Sequence, residues 1–137
     1  MAWYDTAQLS TLEGARKESD WFTAIILSAT QLERHGYLAI KEHLRSREVN
    51  SKVIDKILER IHLYDISEYL LAIGKIDNEE FGTLRELNEE RNKFLLRRET
   101  KRYARGKEAD KKYDPLVKEA IRILKEKFDV IRLFVSK

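Results

Sequence analysis

Apolar side chains recur along most of this chain at spacings of three and four residues, the period of a helix with one buried face. Residues that favour helix ends interrupt the pattern at several places. Together these signals predict helices over about residues 6–17, 20–45, 51–63, 65–74, 77–98 and 115–134. No segment shows convincing β-strand alternation. The predicted fold class is therefore all-α, an up-and-down helical bundle of four main helices plus short helices.

Several predicted boundaries depend on residues typical of helix ends. The candidate N-caps are Ser19 or Asp20, Asn50 or Ser51, and Asp77. Gly74 is placed just after the fourth helix, as a closing residue. Pro115 is favoured at the first position of a helix, so the sixth helix is predicted to begin there. The charged stretch 99–112 has no apolar stripe and is predicted to be a loop, with or without a frayed helical extension.

The fifth predicted helix carries an arginine in its apolar stripe. The residues of the stripe are Phe81, Leu84, Leu87, Asn88, Arg91, Phe94, Leu95 and Arg98. A guanidinium stays protonated in a protein, so an inward Arg91 needs a carboxylate, a group of carbonyls or an anionic ligand. One interpretation is structural: Arg91 reaches the rim of the bundle, or pairs with Glu33, Glu68 or Glu119. The other interpretation is that Arg91 binds a phosphate.

Residues 91–98, RNKFLLRR, resemble the signature of the HEPN superfamily, a group of small helical RNA-cleaving and nucleotide-binding domains. That signature is an arginine, commonly followed by a polar residue, and then a histidine after four to six intervening positions. Arg91 and Asn92 match its start. Residues 20–44 also resemble the second HEPN helix, with Glu33 and Lys41 as the counterparts of its glutamate and lysine. The resemblance implies a HEPN-like bundle and a metal-independent endoribonuclease activity.

The chain departs from this signature at the histidine. The expected position holds Leu96, the longer spacings give Arg97 and Arg98, and all three histidines of the chain precede the motif. Cleavage of RNA without a metal needs a group that transfers protons near neutral pH, which leucine cannot do. Losing such a group slows a reaction on the order of 100- to 10,000-fold. We therefore expect binding to outlast cleavage, whether Leu96 is natural or an introduced change.

The distribution of charge adds a candidate binding surface. Residues 91–112 contain ten basic and three acidic side chains, a local charge of +7, whereas the whole chain carries only +3. In this interpretation Arg91 clamps a phosphate and Asn92 orients it, beside the vacant position of Leu96. The predicted nucleic-acid-binding rim comprises Lys93, Arg97, Arg98, Lys101, Arg102 and the stacking residue Tyr103. A solvated loop is an equally good interpretation of the charged stretch.

Composition excludes several other classes of function. A length of 137 residues predicts a single domain over 1–137, and the absence of cysteine excludes disulfides, thiolate metal sites and cysteine nucleophiles. Without a long apolar run, we expect a cytoplasmic protein that does not bind membranes. Glu59 and His62 have a metal-like spacing, but only one copy occurs, and His62 is expected to end its helix. We predict neither a metal nor a cofactor.

The resemblance also implies partners. HEPN proteins usually form homodimers in which two motif arginines line a shared cleft, so we expect a two-fold homodimer. The implied ligand is RNA or a nucleotide, and the implied role is the toxin of a toxin–antitoxin pair with a nucleotidyltransferase partner. The alternative is a non-enzymatic helical interaction or dimerisation module without a nucleic-acid role. In that case Arg91 is an internal ion-pair partner, and the basic stretch docks on an acidic protein.

Overall fold

The computed structural model of the chain describes residues 2–96 and 105–129, the side chains of residues 2–7 excepted. Its helices are α1 (Ala2–Lys17), α2 (Trp21–Ser46), α3 (Ser51–Leu58), α4 (Leu63–Ala72), α5 (Asn78–Leu96) and α6 (Lys107–Lys127). No strand occurs in these ranges, so the all-α prediction is confirmed, with four longer helices and two short ones. None of these helices is long and apolar enough to cross a membrane.

Side chains cap three helices at the predicted residues. Asp20 and Asn50 each accept a hydrogen bond from a backbone N–H in the first turn of α2 and α3, at 3.3 and 2.9 Å. Ahead of α5, the carboxylates of Asp77 and Glu80 accept from each other's backbone N–H groups, at 2.8 and 2.9 Å. Gly74 follows the C-cap of α4 with a φ of +77°, which confirms its closing role.

The core is one continuous cluster of buried residues drawn from all six helices. Its centre is α2, the longest helix at 26 residues, which contacts each of the other five. The packing of α2 on α4 is close at Gly36, where a Cβ atom would lie 2.5 Å from Cγ2 of Ile66. This packing places α2 and the N-terminus of α4 beside α5, the helix that carries Arg91.

The start of α6 differs from the prediction. The helix begins at Lys107, so the predicted loop is wrong for residues 107–112, and Pro115 lies inside the helix. The physical reason is that Ala109 and Tyr113 are buried and continue the apolar stripe of α6 towards its N-terminus. Burial of a large side chain contributes roughly 1.5–3 kcal/mol, which offsets the roughly 3 kcal/mol that an interior proline costs. The helix ends at Lys127, earlier than predicted, and residues 130–137 lie outside the described residues.

The turn between α3 and α4 also differs. The third helix ends at Leu58 and the fourth begins at Leu63, with His62 as its N-cap, so the prediction that His62 ends a helix is wrong. Asp65 accepts the backbone N–H of His62 at 3.1 Å and is the third residue of α4 instead of its first. Leu63 is fully buried, and seating it in the core requires the chain to turn before it. Glu59 and His62 therefore do not share a helix.

Candidate functional site

Arg91 lies on the inner side of α5 with its side chain 14% exposed, as the apolar stripe predicted. Its Nη2 atom donates to Oε2 of Glu33 on α2 at 3.0 Å and to Oδ1 of Asn88 at 3.5 Å. Glu33 is one of the three carboxylates that the structural interpretation names as a partner. Every hydrogen bond or ion pair between Arg91 and a described residue uses Nη2, so Nε and Nη1 have no such partner within residues 2–96 and 105–129.

Glu33 is held by two helices besides its own. The same oxygen, Oε2, accepts the backbone N–H of Leu63 at 3.1 Å, at the N-terminus of α4. The exposed donors and the dipole of a helix N-terminus favour a negative charge at this position. Glu33 therefore joins α2, α4 and α5. It holds the guanidinium of Arg91 through a single oxygen, instead of through a bidentate ion pair.

The rest of the motif lies on the surface. Asn92 and Lys93 are exposed, and Leu96, in the position of the expected histidine, is 83% exposed. Leu95 is 61% exposed, so its predicted place in the buried stripe is wrong: α5 extends past the core after Phe94. Successive helix residues are turned by about 100°, which puts Leu96 about 140° around α5 from Arg91. Within one chain these two side chains do not share a face.

A buried carboxylate beside the motif was not predicted. Glu90 has a side chain only 4% exposed, and it accepts hydrogen bonds from Lys93 (3.0 Å) and from the Tyr113 hydroxyl (2.9 Å), with Lys112 at 3.1 Å. Burial alone would raise the pKa of the Glu90 carboxyl, but the bonds from Lys93, Tyr113 and Lys112 outweigh it and lower that pKa. Burial and the neighbouring Glu90 raise the pKa of the Tyr113 hydroxyl. The cluster joins α5 to α6.

A second buried carboxylate, Glu80, makes the same connection nearer the start of α5. It accepts from Arg122 at 3.0 Å and lies 3.6 Å from Lys127, both on α6. The spacing of these residues in the sequence could have indicated their burial. Glu80 and Glu90 fall on the apolar stripe of α5, as Arg91 does. A carboxylate in a stripe needs a cation from the facing helix, and α6 is rich in lysine and arginine.

The two clefts described in the structure lie away from Arg91. One, of about 1060 Å³, lies between α1, the start of α2 and α6. The other, of about 370 Å³, lies between the end of α2 and the end of α4 and includes His43. Arg91 lines neither of these two clefts.

Within residues 2–96 and 105–129, no group of three histidine, aspartate or glutamate side chains could hold a metal ion. The predicted rim residues Arg97, Arg98, Lys101, Arg102 and Tyr103 lie outside the described residues. Of the predicted site, the structure therefore places Arg91, Asn92, Lys93 and Leu96, and it adds Glu33, Glu90 and Lys112 beside them.

No protein-family model, curated protein or solved structure matches this chain. The resemblance to the HEPN superfamily therefore stays a prediction that rests on residues 20–44 and 91–98.

Proposed function

We propose that this chain binds the phosphate backbone of RNA along the C-terminal half of α5, and that it does not cleave RNA efficiently. The observation that carries the proposal is the geometry of Arg91. Glu33 holds the guanidinium through Nη2 alone, and the partly exposed side chain keeps two nitrogen atoms free of contacts with described residues. A guanidinium fixed in this way has little further entropy to lose on binding, and its remaining donors suit a phosphate.

The neighbouring lysines support the same proposal. Lys93 and Lys112 both pair with Glu90, each with a side chain about half exposed. Two cations on one buried carboxylate leave a surplus positive charge at the surface where α5 meets α6. Such a surface attracts a polyanion over several ångströms and adds to the contacts of Arg91.

The lack of efficient cleavage follows from position 96. A leucine side chain neither accepts nor donates a proton, so the acid/base half of a HEPN-type site is missing. Leu95 and Leu96 together expose apolar surface at the end of α5. A two-fold homodimer that covers these leucines would bring two copies of α5, and with them two Arg91 side chains, into one groove.

A direct test measures the affinity for single-stranded RNA at a fixed salt concentration. We expect Arg91→Ala to weaken binding by about 10- to 100-fold, the effect of losing charge-assisted hydrogen bonds. Arg45→Ala is the matched control, because it removes the same charge from an exposed position near the end of α2. Unchanged affinity in the Arg91 variant, or equal losses in both variants, would contradict the proposal.

The second candidate is the helical interaction module. Two observations favour it: Arg91 pairs with Glu33 inside the bundle, and Leu95 and Leu96 are exposed. In this case Arg91→Ala lowers the melting temperature, while the wild-type protein has no measurable affinity for RNA. Absence of RNA binding by the wild-type chain would therefore decide for the module.

A further inference from the structure

The cleft between α1, the start of α2 and α6 has the size of a small-molecule site. Its volume is about 1060 Å³, near the upper end of the range for ligand pockets. Trp21 and Ile121 lie in its wall, where both are buried, at 1% and 7% exposed. The cleft lies apart from Arg91, so a ligand bound in it would be independent of the proposed RNA-binding surface.

The charged residues of this cleft separate into paired and unpaired groups. Arg16 pairs with Asp114 at 2.8 Å and Lys125 with Glu13 at 3.1 Å, which connects α1 to α6 across the cleft. Asp110 accepts a hydrogen bond from Nε1 of Trp21 at 2.8 Å. The side chains of three further lining lysines make no ion pair or hydrogen bond with any residue that the structure describes: Lys17, Lys107 and Lys111.

The unpaired lysines converge from two helices. Lys17 ends α1, whereas Lys107 and Lys111 lie one turn apart at the start of α6. Summed over the described lining residues, five cations and three carboxylates give the cleft a net charge of +2.

Two features of this arrangement are unfavourable without an anion, although Glu108 and Asp110 lie in the same first turn of α6. Like charges at positions i and i+4 repel one another, which weakens the helix slightly. Lys107 is also the first residue of α6, where the helix dipole disfavours a cation. A bound anion would reverse both effects, since it would neutralise the lysines beside the positive end of α6. Local features that destabilise a fold are typical of functional sites.

We infer that this cleft binds a di- or triphosphate group, free or carried by a small molecule, with Lys17, Lys107 and Lys111 as its ligands. Lysine ammonium groups bind phosphate as point charges and require no fixed geometry. Ammonium groups contributed by two helices suit the extended row of oxygens of a condensed phosphate better than a single phosphate.

Calorimetric titration of the full chain with inorganic triphosphate tests this inference. We expect saturable binding to one site per chain, and a loss of at least about 10-fold in affinity when Lys107→Gln and Lys111→Gln are combined. The matched control combines Lys52→Gln and Lys56→Gln, exposed lysines with the same spacing on α3. The control should bind triphosphate as the wild type does.

Two further measurements separate this site from the RNA surface and identify the form of the ligand. Arg91→Ala should bind triphosphate with unchanged affinity, because Arg91 does not line the cleft. Tighter binding of adenosine triphosphate than of inorganic triphosphate indicates a ligand with an organic part, and equal binding indicates the free anion. Absence of saturable binding by the wild type, or the same loss in the α3 control, would overturn the inference.

Discussion

At the scale of single residues, Arg91 shows what an apolar pattern in the sequence can predict and what it cannot. Its place in an apolar stripe predicted that it faces inward, and this is confirmed. The pattern named three possible carboxylates but could not select among them, because selection depends on how α2, α4 and α5 pack. Glu33 is the partner because the N-terminus of α4 holds the same oxygen. The pairing with Glu33 is compatible with the proposed phosphate binding, because it uses only one nitrogen atom of the guanidinium.

Glu90 provides a prediction at the same scale. At neutral pH its ionised carboxylate is buried and accepts from Lys93, Tyr113 and Lys112. We expect Glu90→Gln to lower the free energy of unfolding by about 3 kcal/mol, since it leaves cations without their partner. Chemical denaturation at neutral pH measures this difference, and Glu89→Gln, an exposed neighbour, should be almost neutral.

The pH dependence of that difference has a definite sign. The pKa of Glu90 is lower in the folded protein than in the unfolded chain, so its ionised form stabilises the fold above the unfolded pKa, near 4.5. The contribution is lost as the pH falls below that value and through the folded pKa. Stabilities of the wild type and Glu90→Gln should therefore converge in acid. A difference that grows as the pH falls would contradict this account of the cluster.

At the scale of elements, the sequence predicted helices better than it predicted their ends. The starts of α2, α3 and α5 were predicted correctly from Asp20, Asn50 and Asp77, because capping is a local interaction between residues close in sequence. The predicted start of α6 was wrong because burial of Tyr113 against Phe94 and Trp21 depends on distant helices. For the same reason the stripe of α5 could not indicate that Leu95 lies beyond the core.

The contact between α2 and α4 leads to a second prediction about stability. Gly36→Ala places a methyl group 2.5 Å from Cγ2 of Ile66 and 3.1 Å from Cδ1 of Leu70. We expect a loss of about 1–3 kcal/mol in the free energy of unfolding, although alanine favours helices over glycine. The control is Gly82→Ala on α5, where a Cβ meets nothing within 4 Å and should stabilise by up to about 1 kcal/mol. Stabilisation by both variants would contradict this prediction, since it would show that α4 moves away from α2 without a loss of stability.

At the scale of the whole molecule, the basic stretch divides into parts that the linear sequence did not separate. Lys93 and Lys112 meet on Glu90, whereas Lys107 and Lys111 line the cleft beside α1. Local net charge predicted a polyanion-binding region but not this division, because it results from the helical phase of α6 and its docking on α1 and α5. The group formed by Lys107 and Lys111 beside α1 could therefore be recognised only from the fold.

Introducing a histidine at position 96 tests the HEPN-like interpretation at this scale. Position 96 lies about 140° around α5 from Arg91, so the two can cooperate only across a homodimer interface or after local rearrangement. We expect Leu96→His to cleave single-stranded RNA without added metal, with specific activity that rises with protein concentration as dimers form. Glu89→His, at an exposed position of α5 outside the motif, should stay inactive. Equal activity of both variants, or none in either, would contradict the assignment of Leu96 to the histidine position.

The central proposal is that Nε and Nη1 of Arg91 contact an RNA phosphate, and the salt dependence of RNA binding tests it most directly. A plot of the logarithm of the binding constant against that of salt concentration has a slope of about −0.7 for each neutralised phosphate on a single strand. We predict that Arg91→Ala makes this slope shallower by about 0.7, and that Arg45→Ala leaves it unchanged. Identical slopes for the wild type and Arg91→Ala would contradict the claim.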